Sequence, residues 1–200
     1  MNTLIVVAHP DPQSLTHAVA AQLADGLAQS GHAFEIADLA AEGFDPRFNH
    51  DDVAGFYLRA DAPADVRAEQ ARIDRADALA LVFPVYWWSM PGLLKGWIDR
   101  VFANGWAYEE KDGRVVKKLQ RLSVHLLGVG GAGAGTYVKH GYEAAMKTQI
   151  DHGIFDYCGA RVLTSELLLH TNPDEAAAHL HTAFALGRGL FAEAAQGEAA

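Results

Sequence analysis

The sequence predicts an α/β protein, a three-layer sandwich in which helices cover both faces of a five-stranded parallel sheet. Two observations lead to this prediction. Short apolar runs alternate along the chain with longer segments of helical periodicity, which is the pattern of parallel strands joined by crossover helices. The first of these runs, at residues 3–8, is also continuous rather than interrupted at every second residue, as is typical of a strand that is covered on both faces.

The first strand and the first helix are the most clearly marked elements. Residues 3–8 form a continuous apolar run that ends at His9 and Pro10. Residues 14–28 carry leucine and valine at i, i+4 spacing, which predicts an amphipathic helix, and Gly31 ends it.

The later elements follow the same alternation. The remaining strands are predicted at residues 34–39, 78–83, 122–128 and 161–169, and the remaining helices at residues 65–76, 91–102, 142–153 and 174–195. Residues 40–63, rich in Asp, Gly and Phe, are predicted to be irregular. Pro91 lies at the first turn of its helix, where proline is favoured. Five strands in this alternation favour the flavodoxin-like order 2-1-3-4-5 over a six-stranded dinucleotide-binding sheet.

The size of the chain fits one domain. It has 200 residues, of which 50% are hydrophobic, enough to bury a large core. We therefore expect a single domain at residues 1–195, followed by a short C-terminal tail at residues 196–200.

Composition excludes several classes of partner. The formal net charge is −9, the isoelectric point is about 5.5, and no basic stripe is evident, which argues against nucleic acid and anionic membranes. No apolar run reaches the roughly 18 residues that a membrane span needs, and the first residues lack the features of a signal peptide. The single cysteine, Cys158, lies in an apolar run, so we expect it to be buried in a protein of the reducing cytoplasm.

The loop after the first strand is a candidate phosphate site. In the predicted topology, the loops after the first, third and fourth strands meet at one crevice, where open α/β sheets bind ligands. Ser14 and Thr16 offer hydroxyls, and the start of their helix offers free backbone N–H groups to an anion. His9 adds a hydrogen-bond donor. Ser14 is also expected to cap the helix, because caps and phosphate ligands use the same geometry.

The loop after the third strand carries three consecutive aromatic residues, Tyr86, Trp87 and Trp88. Aromatic side chains bury roughly 150–250 Å² each, so a group of them at a strand end is costly to leave in water. A planar, electron-accepting ring such as a flavin is their natural partner, with the loop backbone bonded to its polar edge and Trp87 and Trp88 beside it. The alternative is a hydrophobic core corner or a dimer contact.

The loop after the fourth strand, residues 128–135, is dense in glycine, which lets a backbone approach a ligand closely. A flexible hinge is the alternative, and neither the dinucleotide-binding fingerprint nor a Walker loop is present. Tyr137 and His140 follow and are candidate catalytic residues. A phenol or an imidazole there can stabilise negative charge on a flavin that has accepted a hydride, or pass a proton.

The other histidines are assigned to packing or to the surface. His125 and His152 are predicted to be packing residues, whereas His32, His179 and His181 are placed at helix ends or in solvent. No histidine pair has metal spacing with an acidic third ligand, so no metal site is predicted. The absence of a G-x-S-x-G elbow argues against an α/β-hydrolase.

Several motifs resemble those of the flavodoxin-like NAD(P)H:quinone oxidoreductases, the family of DT-diaphorase, modulator of drug activity B and the ancillary oxidoreductase subunits of potassium efflux systems. The motifs are AHPDPQS at residues 8–14, AEQ at 68–70, FPVYWWSMPGLLKGWIDRVF at 83–102, GWAY at 105–108, the glycines at 130 and 131, and YCG at 157–159. The resemblance runs from about Leu4 to Pro173, and the long central motif is highly specific.

The resemblance implies a set of site residues. Flavin phosphates would contact His9, Gln13, Ser14, Leu15, Thr16 and Ala18. The isoalloxazine would be lined by Pro84, Val85, Tyr86, Trp87 and Trp88, with Gly128, Val129, Gly130 and Gly131 on its polar side. Tyr137 and His140 resemble the catalytic tyrosine–histidine pair of the family. Trp106 and Tyr108 would bind substrate, and Gln70 would reach the partner's flavin, because these proteins are homodimers with sites at the subunit interface.

The resemblance also implies cofactor and activity. FAD is expected from the long first loop, but the residues after Asn172 lack the arginine that helps hold the adenine half of FAD in DT-diaphorase, so FMN is the alternative. NAD(P)H would be the co-substrate. The expected function is two-electron reduction of a quinone or a similar planar acceptor by a ping-pong mechanism, in one flat pocket walled by Trp87, Trp88, Trp106 and Tyr108.

Two other functions stay open at this point. One is a flavin-bearing regulatory subunit of a potassium efflux system, with a transporter as partner, because GWAY and the compact length suit that branch as well. The other is an electron carrier similar to flavodoxin, although small carriers use a Ser/Thr-rich phosphate loop where this chain has His9 and Pro10.

Overall fold

The structure is a computed structural model that describes residues 1–192. Its strands are β1 (Asn2–Val7), β2 (Ala33–Asp38), β3 (Ala78–Pro84), β4 (Tyr108–Lys111), β5 (Arg114–Lys117), β6 (Ser123–Gly130) and β7 (Arg161–Leu169). Its helices are α1 (Leu15–Gln29), α2 (His50–Phe56), α3 (Ala64–Asp74), α4 (Gly92–Val101), α5 (Ala134–His140), α6 (Tyr142–Met146) and α7 (Pro173–Gly189). A π-helical segment, Lys147–Asp156, continues α6.

The main sheet has five parallel strands in the order β2-β1-β3-β6-β7. Strands β4 and β5 lie apart from it and pair with each other as an antiparallel hairpin. Counted along the main sheet alone, this is the predicted order 2-1-3-4-5, so the predicted fold class is confirmed. The main strands begin and end within 2 residues of the predicted bounds.

The burial of the strands follows from their places in the sheet. Every residue of β3 is buried, because β1 and β6 flank it and helices cover both of its faces. Successive side chains of a strand point to opposite faces, and Leu4 and Ile5 of β1 accordingly join different hydrophobic clusters. Leu4 belongs to the cluster that contains Trp97 of α4, whereas Ile5 belongs to the cluster that contains Leu23 of α1.

These two clusters locate the crevice of the sheet. Helices α1 and α7 contribute to the cluster on one face, and α4 and the π-helical segment contribute to the cluster on the other. The chain therefore leaves β1 toward one face and leaves the neighbouring strand β3 toward the opposite face. This divergence opens a crevice at the carboxyl ends of β1 and β3, the position at which open α/β sheets bind ligands.

Two glycines set the distance between α1 and α7. A Cβ atom at Gly26 would lie 2.2 Å from the carbonyl oxygen of Phe184, and a Cβ atom at Gly187 would lie 2.2 Å from the carbonyl oxygen of Leu23. Both distances are shorter than a van der Waals contact. The atoms met are helix backbone, which cannot move without moving the whole helix. The helices therefore cross closely because neither glycine has a side chain.

Substitution of Gly187 by alanine is expected to lower the free energy of unfolding by about 1–3 kcal/mol, because the added methyl group forces α1 and α7 apart. Urea unfolding followed by circular dichroism measures this change. Gly189→Ala is the matched control, since no atom lies within 4 Å of its added Cβ and alanine favours helix. Equal stability of the two variants would show that the crossing tolerates separation.

A buried arginine ties the region between β2 and β3 to α4. The Arg100 side chain is 2% exposed, and its Nε donates to both carboxylate oxygens of Asp52, which is also 2% exposed, at 3.1 and 3.0 Å. Its Nη1 donates to Asp65 at 2.6 Å and to the carbonyl oxygen of Asp45 at 2.8 Å. Helices α2, α3 and α4 are thus joined through one guanidinium group.

The structure differs from the predicted elements at several points, including helix α5, which was not predicted. Residues 40–63 are not wholly irregular, because Asn49 and Asp52 form a reciprocal capping box that starts α2. The segment before β6 contains the β4–β5 hairpin, whose turn residues Asp112 and Gly113 both have positive φ. Gly128 and Gly130 end β6 rather than forming a loop. The helix predicted at residues 142–153 is α helical only as far as Met146.

The last predicted elements are the C-terminal helix at residues 174–195 and the tail that follows it. Helix α7 is described as far as Gly189, short of the predicted end at residue 195. Residues 193–195 of that helix and the predicted tail at residues 196–200 lie outside the described residues.

Candidate active site

The predicted site segments meet at the carboxyl edge of the sheet. Strands β1, β3 and β6 are neighbours, so the residues that follow them lie side by side. Two backbone hydrogen bonds join these ends: Ala8 N–H donates to Val82 at 3.2 Å, and Val85 N–H donates to Val129 at 2.8 Å. The convergence expected from the topology is therefore present in the structure.

The loop after β1 ends in a capped helix. Ser14 is the N-cap of α1, and its hydroxyl accepts a hydrogen bond from the His17 backbone N–H at 3.3 Å. Thr16 is buried, and Leu15 and Ala18 are half-buried, whereas Gln13 is exposed. The first-turn N–H groups of any helix lack intrahelical acceptors, so α1 presents donors and the positive end of its dipole to the crevice.

Two histidines stand at this helix start, with ring centres 6.2 Å apart. The Nδ1 atom of His9 accepts a hydrogen bond from the Asp11 backbone N–H at 3.0 Å, so the proton of a neutral His9 ring lies on Nε2. His17 lies in the turn predicted to contact phosphate, but no role was predicted for its side chain. Its Nδ1 lies 2.9 Å from the Ser14 hydroxyl, and its Nε2 lies 2.9 Å from Asp38 at the end of β2.

The aromatic loop after β3 is a strained turn. Tyr86 and Ser89 exchange backbone hydrogen bonds at 3.0 and 3.1 Å, and the two residues between them have positive φ, 50° for Trp87 and 60° for Trp88. Left-handed backbone costs a bulky residue roughly 1–2 kcal/mol. Such strain is typical of ligand-binding sites, because the surrounding structure must enforce it.

The two tryptophans have different surroundings. The Trp88 ring stacks on the Tyr142 ring with their centres 3.9 Å apart and their planes at 10°, and it meets Tyr137 edge-on at 5.3 Å. Trp87 is 93% exposed. Pro84 is buried, whereas Tyr86 is 48% exposed. One tryptophan is therefore a fixed wall, and the other is an apolar ring presented to solvent.

The catalytic candidates lie on α5, directly beyond the glycines. Tyr137 is buried, and burial raises the pKa of its phenol above the usual range. A Cβ atom at Gly130 would lie 2.7 Å from the Tyr137 hydroxyl oxygen, so the glycine makes room for that hydroxyl. His140 is exposed and packs on the Tyr142 ring at 5.3 Å. Tyr142, which contacts Trp88, Tyr137 and His140, carried no signal in the sequence.

The substrate candidates Trp106 and Tyr108 lie elsewhere, together with Gln70, the residue expected to reach the partner's flavin. Trp106, Tyr108 and Gln70 line a cavity of about 610 Å³ between α2, α4 and the π-helical segment. Burial, followed by the neighbouring Tyr157 and Cys158, raises the pKa of Tyr108. Gln70 is buried and donates to the carbonyl oxygen of Val101 at 3.0 Å. Trp87 and Trp88 are not part of this lining, so the four rings do not wall a single pocket within one chain.

A flavin fits the donor set at the sheet edge. The helix start supplies N–H groups and hydroxyls for a phosphate, and a Cβ atom at Gly131 would meet nothing within 4 Å, so its backbone is accessible. His170, after β7, donates its backbone N–H to Gly130 at 2.7 Å. Its Nδ1 is buried and has no hydrogen-bond partner within residues 1–192, an unsatisfied polar atom of the kind that a polar ligand completes.

The remaining titratable residues agree in part with prediction. Cys158 is buried, and burial raises its pKa to about 11, as expected for an inert core thiol. His125 is buried, and burial lowers its pKa to about 4. The prediction for His152 is wrong, because its side chain is 77% exposed on the outer side of its helix. In the described part of the chain, no three His, Cys, Asp or Glu side chains are grouped to hold a metal ion.

Over residues 1–192, the helices are too short or too polar to cross a lipid bilayer.

Comparisons with known proteins place the chain in a family. A family model described as a flavodoxin-like fold matches residues 1–185. The ribosyldihydronicotinamide dehydrogenase (quinone) of Pongo abelii is 30% identical over 187 residues, which cover 82% of this chain and 79% of that protein.

Two solved structures agree with that match. The NAD(P)H:quinone oxidoreductase from Methanothermobacter marburgensis has a TM-score of 0.84 at 28% identity, covering 95% of this chain and 96% of that one. The general stress protein 14 of Treponema denticola, solved in complex with FMN, has a TM-score of 0.69 at 26% identity, covering 95% and 99%. The chain therefore belongs to the flavodoxin-like family that also contains these quinone oxidoreductases.

Proposed function

We propose that the chain is a flavin-dependent NAD(P)H:quinone oxidoreductase that works by a ping-pong mechanism as a cytoplasmic homodimer. The observation that carries the proposal is the meeting of the capped start of α1, the strained aromatic turn and the glycines of β6 at one sheet edge. The relatives named for quinone reduction support the assignment. Because those relatives are named as redox enzymes, catalysis takes precedence over a regulatory role beside a transporter.

The start of α1 would hold the flavin phosphate. The backbone N–H groups of Leu15 and Thr16, the Ser14 hydroxyl and the Nε2–H of His9 all belong to this corner. FMN and FAD share that phosphate, and the FMN complex of the Treponema denticola protein supports the smaller flavin. Mass spectrometry of the cofactor released from purified protein distinguishes FAD from FMN.

The bound flavin would supply the redox chemistry, accepting a hydride from NAD(P)H and delivering two electrons to a quinone. The residues of the chain would bind and orient the flavin and its substrates, and would donate hydrogen bonds to them. Trp88, fixed by Tyr142, forms a rigid wall, and the exposed Trp87 covers an entering planar molecule. A phenol keeps its proton near neutral pH, and burial raises the pKa of Tyr137 further, so its hydroxyl is a donor beside Gly130. His140, at the exposed end of α5, exchanges protons with solvent.

The homodimer would complete the site. Gln70, Trp106 and Tyr108 share a cavity that is separate from the aromatic turn of their own chain. A second copy would bring this cavity over the crevice of its partner, so that each substrate pocket takes Trp87 and Trp88 from one chain and Tyr108 from the other. This arrangement accounts for four rings that do not meet within one chain.

Steady-state kinetics tests the proposed function. Initial rates of NADPH oxidation measured at several menadione concentrations should give parallel double-reciprocal lines, because NADP⁺ leaves the shared pocket before the quinone enters. Intersecting lines would contradict a shared pocket. An inactive protein that holds stoichiometric flavin would favour the regulatory or electron-carrier alternative.

Tyr137→Phe and His140→Ala are each expected to slow flavin reduction by NADPH roughly tenfold or more, because each removes a group that donates to or exchanges a proton at the reacting ring. The yellow colour should be retained, since neither residue is needed for the phosphate contacts. Stopped-flow absorbance under anaerobic conditions measures the rate. Tyr57→Phe, on the exposed end of α2, is the control. If Tyr137→Phe and His140→Ala both reduce the flavin at the wild-type rate, neither residue takes part in the mechanism.

A further inference from the structure

We propose that His17, held by Asp38, is a positioning residue that decides whether Ser14 can donate a hydrogen bond to the flavin phosphate. The protein would therefore take up a proton when it binds a phosphorylated flavin near neutral pH. This inference rests on the proposed function for the location of the phosphate, and it adds a pH dependence that the proposed function does not require.

The side chains of Ser14, His17 and Asp38 form a relay of two successive hydrogen bonds. The Ser14 hydroxyl oxygen lies 2.9 Å from Nδ1 of His17, and Nε2 of His17 lies 2.9 Å from a carboxylate oxygen of Asp38. The His17 and Asp38 side chains are 17% and 23% exposed. The other carboxylate oxygen of Asp38 accepts from the backbone N–H groups of Ala40 and Ala41, at 3.2 and 3.1 Å. The carboxylate is therefore fixed and can only accept.

The state of Asp38 fixes where the His17 proton lies. Burial alone would raise the pKa of Asp38, but the hydrogen bonds from His17 and from the Ala41 and Ala40 amides together hold it below its usual value. An ionised carboxylate has no proton to donate, so Nε2 of His17 must carry a hydrogen. In neutral His17 the Nδ1 atom is then bare and can only accept.

Neutral His17 therefore engages the hydroxyl proton of Ser14 in a hydrogen bond. Because Nδ1 accepts, the Ser14 hydroxyl donates to it, and the same oxygen already accepts from the His17 backbone N–H. What remains of the Ser14 oxygen toward the crevice is a lone pair. A lone pair facing a phosphate oxygen is repulsive, so the neutral state disfavours the anion.

Protonated His17 reverses the hydrogen bond. Nδ1–H now donates to the Ser14 oxygen, and the hydroxyl proton is free to point into the crevice. Ser14 becomes a donor to the phosphate, and the imidazolium adds a positive charge next to the Ser14 hydroxyl. Phosphate and proton thus bind together, so flavin affinity is higher when His17 is protonated than when it is neutral.

The groups around His17 leave this relay intact. Asp38 faces it from the end of β2, and the His9 ring meets it edge-on from the loop after β1. Asp11 turns its own side chain to the Gln13 backbone N–H at 2.9 Å. A positive charge on His9 would oppose a second charge on His17 when no anion is bound. A bound phosphate relieves that opposition, which strengthens the coupling.

The first test compares flavins with and without phosphate. The dissociation constant of FMN should rise roughly tenfold between about pH 7 and pH 9, since one charge-assisted hydrogen bond is lost. That of riboflavin, which has no phosphate, should change less than about twofold over the same range. Fluorescence titration measures both constants. A flat FMN profile, or a riboflavin profile that follows it, would overturn the inference.

The second test uses Asp38→Asn. The asparagine oxygen keeps the bonds from Ala40 and Ala41, and its amide donates to Nε2, so neutral His17 can carry its hydrogen on Nδ1 and release Ser14. FMN affinity at about pH 9 should then remain within about twofold of its value at pH 7. Asp25→Asn, an equal charge change further along α1, should keep the wild-type slope. An unchanged slope in Asp38→Asn would reduce His17 to a structural contact.

A third measurement separates this inference from the proposed function. The titration of the His17 ring, followed by NMR with and without inorganic phosphate, does not need flavin to bind. Its midpoint should move upward when phosphate is added, and the Ser14→Ala variant should move less. If flavin does not bind but the midpoint moves, the proposed function fails and the relay stands. If the midpoint stays in place, the relay is wrong even in a yellow protein.

Discussion

Substitution of Ser14 by aspartate is expected to weaken flavin binding by roughly a hundredfold or more while the fold stays intact, because two like charges about 4 Å apart repel by several kcal/mol at a partly exposed site. Aspartate caps a helix as well as serine does and complements the helix dipole, so α1 should form normally. The carboxylate would stand where the phosphate is expected. Fluorescence titration with FMN and FAD measures the loss.

Ser14→Asn is the matched control for that substitution. Asparagine is an equally good cap and brings no charge, so its flavin affinity should fall by less than about tenfold. Circular dichroism should show the same helix content in both variants. Equal affinity in the aspartate and asparagine variants would show that the phosphate does not bind at the start of α1.

Substitution of Arg100 by methionine is expected to lower the free energy of unfolding by about 3–5 kcal/mol, because Asp52 would be left buried without its partner. Methionine keeps much of the side-chain volume, so the loss reports on charge and hydrogen bonding rather than on a cavity. Urea unfolding at neutral pH measures it. The double variant with Asp52→Asn should recover part of the loss, since the buried charge is removed as well.

An exposed ion pair on the same helix provides the comparison for Arg100. Lys95 and Asp99 form an i, i+4 pair at 2.6 Å with both side chains nearly half exposed, and Lys95→Met should change stability by less than about 1 kcal/mol. A loss at Arg100 no larger than that at Lys95 would mean that water reaches Asp52.

Acid should weaken the Arg100 cluster in a defined direction. The hydrogen bond from Arg100 is the largest of the effects that hold the pKa of Asp65 below its usual value. A lowered pKa in the folded state contributes stability above the pKa of the unfolded chain, and that contribution is lost as pH falls through the folded value. The wild type should therefore lose more stability than the Arg100 variant when pH falls below about 4.

The sequence was sufficient for the main sheet because its signals are local. The continuous apolar character of β3 matches a strand that is buried at every position, and Gly31 lies one residue beyond the end of α1 and its cap. The strand order followed from the count of five strands that alternate with helices, which favours the order 2-1-3-4-5 over a six-stranded sheet. The hairpin β4–β5 was not predicted, although its Asp112-Gly113 turn is a strong hairpin signal, because its two strands have only 4 residues each and are mostly exposed, so neither forms a buried apolar run.

The site was predictable only where a residue acts through its own type. Ser14 as a helix cap follows from the chemistry of its side chain. Tyr142 and His17 could not be found in this way, because their roles come from partners that folding brings together. Asp38 lies 21 residues from His17 in the chain, and nothing in the intervening sequence announces the contact. Gln70 likewise belongs to a cavity whose other walls come from distant segments.

The central claim is that the carboxyl edge formed by β1, β3 and β6 binds a flavin. The most direct measurement is equilibrium titration of flavin-free, folded protein with FMN and with FAD, followed by flavin fluorescence and by the absorbance of the protein after gel filtration. We expect a yellow protein that carries equimolar flavin and loses its colour when NADPH is added without oxygen. A folded protein that stays colourless with both flavins would contradict the account.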